Sequence, residues 1–264
     1  LLNNAATSRQ AAAYGLVFGL GWFGCGISWV HVSIDQFGGL PLIASLGLMA
    51  LLVAYLALFP ALAGWLTHRL RIPAISPLLL ASCWTLSEWL RSWLFTGFPW
   101  LSPGYSQIEH GLHHYAPLIG ETGISFLLLF SAAAVAQVFI NIQPVWRYGY
   151  ALVSGLILAG GQWLVPLQGW QYQQNSVSVL LVQGNIRQEM RWVPEREWPA
   201  MQKYMDLTRP YFGTEIIIWP EAAIPRLEPL AEPFLDNLNR AAFYQGSTVI
   251  SGIIDYRHQT QQAW

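Results

Sequence analysis

Charged residues and cysteines are scarce in this sequence of 264 residues, and each scarcity excludes a class of protein. Asp, Glu, Lys and Arg make up 10% of the chain, against about 25% in an ordinary soluble domain. Together with a hydrophobic fraction of 54%, this excludes a disordered chain, a coiled coil and a typical cytosolic enzyme. Two cysteines are too few for a disulfide scaffold or a structural zinc site. The net charge of −1 supplies no basic face, so no nucleic-acid partner is expected.

The few charges are unevenly distributed along the chain. Residues 1–167 hold 9 of the Asp, Glu, Lys and Arg residues, whereas residues 168–264 hold 18. A charge-poor part followed by a part of ordinary polarity predicts a transmembrane domain over 1–167 and a globular domain over 168–264.

Five apolar stretches in the first part are long enough to cross a lipid bilayer, which takes about 20 residues. They cover approximately residues 11–34, 41–67, 76–98, 115–141 and 148–167. Basic residues lie in the loops that five crossings place on one side, namely Arg9, Arg69 with Arg71, and Arg147. Short loops rich in Lys and Arg face the cytoplasm, so we expect a multi-pass membrane protein with its globular domain on the outer face.

Three charged residues lie inside the predicted spans, where a charge is costly and is usually paired or functional. Glu88 and Arg91 are three residues apart, so they share a helix face and are able to pair. Two interpretations stay open for them: a structural ion pair within the bundle, or a polar site for a lipid headgroup near the outer interface. The third charged residue is Glu121.

The loop over residues 97–107 reads GFPWLSPGYSQ and is rich in aromatic residues beside a predicted helix end. It is either an interfacial aromatic belt or a lid or wall that faces the outer domain. Trp100 and Tyr105 are its candidates for lining the access of lipid. The histidines that follow have no carboxylate-rich partner set, so no metal site is expected there; they are His110, His113 and His114.

The globular part alternates strand-like and helix-like segments. Residues 176–183, 215–219 and 248–254 are apolar and rich in β-formers, whereas 195–209 and 231–245 have helical composition. This order predicts α/β layering with right-handed crossovers. Near-continuous apolar strands also suit a sheet that is covered on both faces.

Glu221 follows the strand-like segment 215–219 by two residues, within WPEAAIP (219–225). Ligands of open α/β sheets bind beyond the carboxyl ends of the strands. Apolar neighbours would partly desolvate this carboxylate and make it a better general base. The pattern alone leaves two roles open, catalysis and a structural hydrogen-bond acceptor.

Three stretches carry a resemblance to a known family: TGFPWLSPGYSQ (96–107), LVQGNIRQEMRW (181–192) and IIIWPEAAIP (216–225). In these stretches and in their order along the whole chain, the sequence resembles the apolipoprotein N-acyltransferases, bacterial inner-membrane members of the nitrilase superfamily. The resemblance implies a polytopic α-helical membrane bundle followed by a nitrilase-like α-β-β-α sandwich on the periplasmic face.

The resemblance also implies a reaction that needs no cofactor. Family members transfer an acyl chain from a glycerophospholipid to the α-amine of the lipid-modified N-terminal Cys of an apolipoprotein, through a thioester on a catalytic Cys. Glu221 matches the general base of the family's Glu-Lys-Cys triad, and Trp192 matches a Trp on a loop beside the active site. Lys203, the single lysine, precedes Glu221 and does not match the triad Lys, and no Cys follows Cys83.

By this resemblance the chain is expected to be an internal fragment, because the family has eight spans and five are predicted here. The second half of the nitrilase-like domain is expected to be missing, so the fragment alone should not catalyse. Two alternatives stay open. One is a related membrane-anchored nitrilase-type amidase or a homologue joined to a glycosyltransferase, and the other is a non-catalytic membrane protein such as a transporter or scaffold.

Overall fold

A computed structural model describes residues 5–70, 72, 76–139, 144–164, 176–190, 192–257 and 262–263. The chain divides into two compact units, Leu1–Trp170 and Gln171–Trp264. Parts of the predictions lie outside the described residues. These parts are Arg71 of the basic loop, residues 140–141 of the fourth predicted span, and residues 165–175, where the fifth predicted span ends and the globular domain begins.

Six helices make up most of the described part of the first unit. They are α1 (Ser8–Gly26), α2 (Val30–Gln36), α3 (Leu42–Arg69), α4 (Ser76–Trp93), α5 (Ala116–Val138) and α6 (Pro144–Leu164), with short 3-10 turns at Leu94–Thr96, Pro103–Gln107 and Gly111–Tyr115. Helix is therefore found at each of the five predicted spans, and the first of these is a pair of helices bent by 51°.

The bend between α1 and α2 has a local cause. Gly24 and Gly26 weaken the last turn of α1 because glycine is a poor helix former. The Ser28 hydroxyl donates a hydrogen bond to the Cys25 carbonyl at 3.2 Å, and such bonds compete with those of a continuing helix. The stretch predicted as the first span, residues 11–34, is therefore covered by two helices with a bend between them.

Fewer helices than the five predicted qualify as membrane spans by length and composition. Among the described residues, Leu42–Arg69 and Gly111–Val138 are long and apolar enough to cross a membrane, and the bent α1–α2 pair is a third if it forms one span. α4 has 18 residues and contains Glu88 and Arg91, and the apolar part of α6 is Tyr148–Gly161. The first unit is a helical bundle with candidate membrane spans, and the number of five crossings stays a prediction.

Two glycines allow α1 to pack closely on α3. A Cβ added at Gly15 would lie 2.2 Å from the Pro60 carbonyl oxygen, and one at Gly19 would lie 2.8 Å from the Cα of Ala57. Spaced four residues apart, the glycines let the two backbones approach, as small residues do in membrane helix pairs. The same two helices and Ile27, the residue directly after α1, supply a buried apolar cluster of Phe23, Ile27, Val53, Leu56 and Phe59.

The described part of the second unit combines two helices with short strands. The helices are α7 (Pro194–Thr208) and α8 (Glu228–Tyr244), with 3-10 turns at Gln188–Met190 and Arg209–Tyr211. The strands are β1 (Val179–Leu181), β2 (Ile216–Ile218), β3 (Ile224–Leu227), β4 (Thr248–Ile250), β5 (Ile253–Ile254), β6 (Tyr256–Arg257) and β7 (Gln262–Ala263).

The main sheet of the second unit is parallel, in the order β1-β2-β4, and Ile217 of β2 pairs with Leu180 and Val249. β3 pairs in parallel with β5, and β6 pairs with β7 in the antiparallel sense. The predicted alternation of strands and helices is confirmed. β3 was not predicted, because a four-residue segment that contains Pro225 shows no strand periodicity.

Both helices of the second unit pack on one apolar core. Its members from the helices are Met201, Tyr204, Ala231, Phe234 and Leu238, and its members from the strands and turns are Val182, Ile217, Trp219, Ala223 and Ile224. Val179, Leu181 and Ile250 of the main sheet are exposed. The cover on both faces that apolar strands suggested is therefore not present within the described residues of this unit.

Candidate functional site

The carboxyl edge of the parallel sheet brings three chain segments together in the second unit. The Val182 N–H donates to the Ile218 carbonyl, and the Trp219 N–H donates to the Ile250 carbonyl, each at 2.9 Å. The residues that follow β1, β2 and β4 therefore emerge side by side, at the edge where open α/β sheets bind ligands. Glu221 lies in the segment after β2, and Gly252 lies in the segment after β4.

Glu221 occupies a turn whose backbone is fixed on both sides. The Ala223 N–H donates to the Pro220 carbonyl at 3.1 Å and closes the turn. A Cβ added at Gly252 would lie 2.3 Å from the Glu221 carbonyl oxygen, so only glycine allows the segment after β4 to approach this closely. The Glu221 side chain itself is exposed. Within this unit, the partial burial expected from its apolar neighbours is wrong, because those neighbours turn inward and leave the carboxylate outside.

Trp219, two residues before Glu221, is fixed by contacts with both helices of the unit. Its indole is buried and its Nε1–H donates to the Thr208 Oγ1 at 2.8 Å. The ring also packs near Tyr204 and Phe234, with ring centroids 5.5 and 6.3 Å away. Both α7 and α8 thereby fix the strand end that leads into Glu221.

Asn185, in the segment after β1, is a residue that sequence reasoning did not single out. It has a left-handed backbone with φ of 50°, a conformation that Asn adopts more readily than most residues. Its Oδ1 accepts a hydrogen bond from the Gln183 Nε2 at 2.8 Å. Gly184 between them lies against the Tyr204 ring, which an added Cβ would approach to 2.6 Å. In the sequence, this site is marked by two polar residues, Gln183 and Asn185, that directly follow an apolar strand.

Trp192 borders an amphipathic cleft of about 540 Å³ in the second unit. The Trp192 side chain is exposed. An ion pair also lines the cleft, in which the Arg226 Nε donates to the Glu197 Oε2 at 3.0 Å. The remaining lining residues are apolar: Pro225, Leu227, Leu230 and Ile254. Since Pro225 and Arg226 belong to β3, which begins three residues after Glu221, the cleft is linked to the Glu221 turn by a short stretch of chain.

In the first unit, Glu88 and Arg91 form the ion pair that their spacing predicted. The Arg91 Nη2 lies 3.4 Å from the Glu88 Oε1, and both side chains are buried. The Arg91 Nη1 donates to the carbonyls of Phe98 and Trp100, each at 2.6 Å. The guanidinium is therefore turned towards the chain after α4. These contacts favour the structural alternative over a headgroup site.

The aromatic loop, defined as residues 97–107, contains the other two candidates of this unit. Trp100 and Tyr105 are 51% and 59% exposed. The Trp100 ring stacks on Phe98 with centroids 5.4 Å apart, and it lies 6.2 Å from Trp29. The loop thus presents a group of aromatic rings at the end of α4.

The remaining candidates take no part in a described site. Lys203, which does not match the triad Lys, is exposed on α7. Across the described ranges, no group of three or more His, Cys, Asp and Glu residues is arranged to hold a metal ion.

Comparison with known proteins places the chain beside one group of relatives. Residues 1–134 match the apolipoprotein N-acyltransferase N-terminal domain. A protein of Shewanella oneidensis named apolipoprotein N-acyltransferase is 48% identical over 250 residues, covering 92% of this chain and 47% of the relative. A Vibrio cholerae protein of the same name is 45% identical over 267 residues, covering 99% of this chain and 52% of the relative. The chain thus spans about half the length of the curated relatives that it matches.

Proposed function

Because the chain belongs to the apolipoprotein N-acyltransferase family, we propose that it contributes to acyl transfer from a glycerophospholipid to the N-terminal α-amine of a lipid-modified apolipoprotein. The observation that carries the proposal is the position of Glu221. It stands in a rigid turn at the carboxyl edge of a parallel sheet, in a chain whose first 134 residues match the family's N-terminal domain.

In this proposal Glu221 is the general base of a two-step reaction. It accepts the proton of a cysteine thiol, whose sulfur attacks the ester carbonyl of the phospholipid. The thioester forms, the glycerol oxygen leaves as the lysophospholipid, and the proton passes to that oxygen. In the second step the amine attacks the thioester, Glu221 takes the amine proton, and the released thiolate is protonated. The resemblance assigns the Cys and an oxyanion-binding Lys to positions after Glu221.

The arrangement of Glu221 supports this role. An exposed carboxylate is accessible to a substrate, and the fixed backbone of Glu221 restricts the positions that its side chain reaches, which favours proton transfer within hydrogen-bond reach. We propose that the second unit is the first half of a nitrilase-like domain on the periplasmic face of the inner membrane. The basic residues Arg9, Arg69 and Arg147 support that orientation.

Exposed aromatic residues are the proposed contacts of the lipid donor. Trp100 and Tyr105 are exposed on the aromatic loop, and Trp192 is exposed at the cleft of the second unit. Amphipathic rings of this kind are enriched where apolar and polar surroundings meet. Neither a cofactor nor a nucleic acid has a part in the proposed reaction.

The experiment uses the complete coding frame that contains residues 1–264, expressed in membranes. Formation of the acyl-enzyme is followed with phosphatidylethanolamine that carries a labelled acyl chain, and transfer is followed with a diacylglyceryl-Cys peptide. Glu221→Gln should slow acyl-enzyme formation by about 10²–10⁴-fold. Glu232→Gln, which alters an exposed carboxylate on α8 of the same unit, is the control and should keep full activity. Unchanged acyl-enzyme formation in Glu221→Gln would refute the role of Glu221, and absence of transfer in the unaltered protein would refute the function.

A further inference from the structure

The aromatic loop begins from a backbone that folds back sharply on α4. Phe95 and Thr96, in the 3-10 turn that follows α4, have φ values of 50° and 73°, and Leu101 within the loop has a φ of 60°. Non-glycine residues rarely adopt this left-handed conformation, and it persists only where surrounding contacts hold it. Contacts from the neighbouring helices therefore hold the loop in this conformation.

Arg91 supplies the first of these contacts. Its Nη1 joins the carbonyl oxygens of Phe98 and Trp100, and its backbone carbonyl accepts the Phe98 N–H at 3.0 Å. Glu88 holds the guanidinium from the other side, and the Glu88 Oε1 also accepts the Ser102 hydroxyl at 3.3 Å. One buried ion pair thus binds three residues of the loop.

Two further contacts fix the middle and the far end of the loop. A Cβ added at Gly26 would lie 2.1 Å from a terminal methyl of Leu101, so the Leu101 side chain fills the space that this glycine leaves. The Gly104 N–H donates to the Ser125 Oγ at 2.8 Å, and Ser125 in turn donates to the Glu121 Oε1 at 2.7 Å. Groups of α1, α4 and α5 thus hold the loop at five positions between Phe98 and Gly104.

What the loop exposes contrasts with what it buries. Arg91 is 3% exposed and Ser102 is 9% exposed, whereas half or more of the Trp100 and Tyr105 side chains is open. The buried polar side chains therefore contact the loop from the inside, and the Trp100 and Tyr105 side chains are on its exposed side.

From this we propose that Glu88 and Arg91 are positioning residues that hold the aromatic loop as a fixed wall against which the acyl donor packs, chiefly through Trp100. The inference rests on the proposed function for its substrate, a glycerophospholipid. It differs from a headgroup site because Arg91 acts on the donor through the loop and does not touch it.

The first experiment measures release of the loop from the bundle and does not depend on enzymatic activity. Ser102→Cys introduces a thiol into the complete coding frame with Cys25→Ala, and maleimide labelling is read on the peptides that contain position 102 and the buried native thiol Cys83. Maleimide labelling at position 102 should be slow in this parent and at least about tenfold faster when Arg91→Met is added, because conversion of the buried site to an open one governs the rate. Labelling of Cys83 reports unfolding of the bundle and should not change. Equal labelling at position 102 with and without Arg91→Met, or simultaneous labelling of both positions, would overturn the inference.

The second experiment measures donor use in the complete coding frame. Arg91→Lys keeps the charge but loses the planar fork that reaches two carbonyls and a carboxylate. It should raise the KM for phosphatidylethanolamine by about tenfold with little change in kcat, within the range found for directly coupled groups. A general loss of stability would instead lower the active fraction and leave KM unchanged, and that result would overturn the inference.

A double-mutant cycle identifies the route through Trp100. In a Trp100→Ala background, Arg91→Lys should alter KM by less than about twofold, since the ring that it positions is already gone. In a Trp93→Ala background its full effect should remain; Trp93 is equally exposed at 51% and lies on α4, outside the loop. Additive effects of Arg91→Lys and Trp100→Ala on KM would refute the inference. The proposed function would still stand in that case, provided that the unaltered protein transfers the acyl chain.

Discussion

A methyl group at position 252 tests how firmly the fold fixes the turn that carries Glu221. A Cβ on Gly252 lies 2.3 Å from the Glu221 carbonyl oxygen and 2.9 Å from the Glu221 Cα. Non-bonded heavy atoms pack at about 3.5 Å, so Gly252→Ala forces the two segments apart by about 1 Å. Neither segment yields easily, because both are backbone and are joined by the hydrogen bond from Trp219 to Ile250.

The displacement should affect stability and catalysis to different extents. Overpacking of this kind costs about 1–3 kcal/mol of folding free energy, which a folded unit tolerates. A catalytic group moved by about 1 Å loses about 10²-fold in rate. We therefore expect Gly252→Ala to remain folded and to form the acyl-enzyme about 100-fold more slowly.

Single-turnover acyl-enzyme formation with labelled phosphatidylethanolamine measures this rate, in the complete coding frame and well below the unfolding temperature. Ser251→Ala is the matched control, because it alters the preceding residue and removes only a hydroxyl that donates to the Gly252 carbonyl at 3.2 Å. Thermal unfolding of both variants is recorded in parallel. If Gly252→Ala reacts as fast as Ser251→Ala, the close contact does not fix Glu221 and the reasoning is wrong.

Two further predictions concern packing in the first unit and pH in the second. Gly15→Ala places a Cβ 2.2 Å from the Pro60 carbonyl oxygen and should destabilise the bundle by about 1–3 kcal/mol in thermal unfolding. Gly21→Ala on the same helix is the control, because its Cβ meets nothing within 4 Å, and it should be neutral or stabilising. Equal effects of the two substitutions would contradict the close approach of α1 and α3. The Ser178 N–H and hydroxyl donate to the Glu215 Oε2 at 2.7 and 3.0 Å, and these bonds lower the pKa of Glu215. The stabilisation is fully present above the pKa of an unfolded glutamate, about 4.3, and is lost as the pH falls through the lower folded pKa. Urea unfolding should therefore show Glu215→Gln less stable than the unaltered protein at pH 7 and equal to it in strong acid. A difference in stability that does not vary with pH would contradict this.

Local patterns in the sequence predicted the elements well. Long apolar runs marked the helices of the first unit because burial of a helix in lipid requires about 20 apolar residues in succession. Apolar β-rich segments alternating with helical ones predicted the parallel strands of the second unit. Two elements escaped prediction: the break after Gly26, and the strand Ile224–Leu227. The first depends on competition by one serine, and the second is too short to show a period.

The candidate residues divide in the same way. The sequence by itself singled out the candidate residues, because the WPE stretch with Glu221, the pair Glu88 and Arg91, and the aromatic loop are all contiguous or spaced by one helical turn. Residues this close in the sequence can be recognised as a group without knowledge of the tertiary contacts.

Only the tertiary structure decided what surrounds those residues. Arg91 is turned to the loop carbonyls and not to solvent, Glu221 is exposed although its neighbours are apolar, and Gly252 lies against the Glu221 backbone from 31 positions further along the chain. Each of these outcomes depends on which distant segments meet. Close packing decides that question through the sum of many weak contacts across the whole unit, and no local pattern of residues contains that sum.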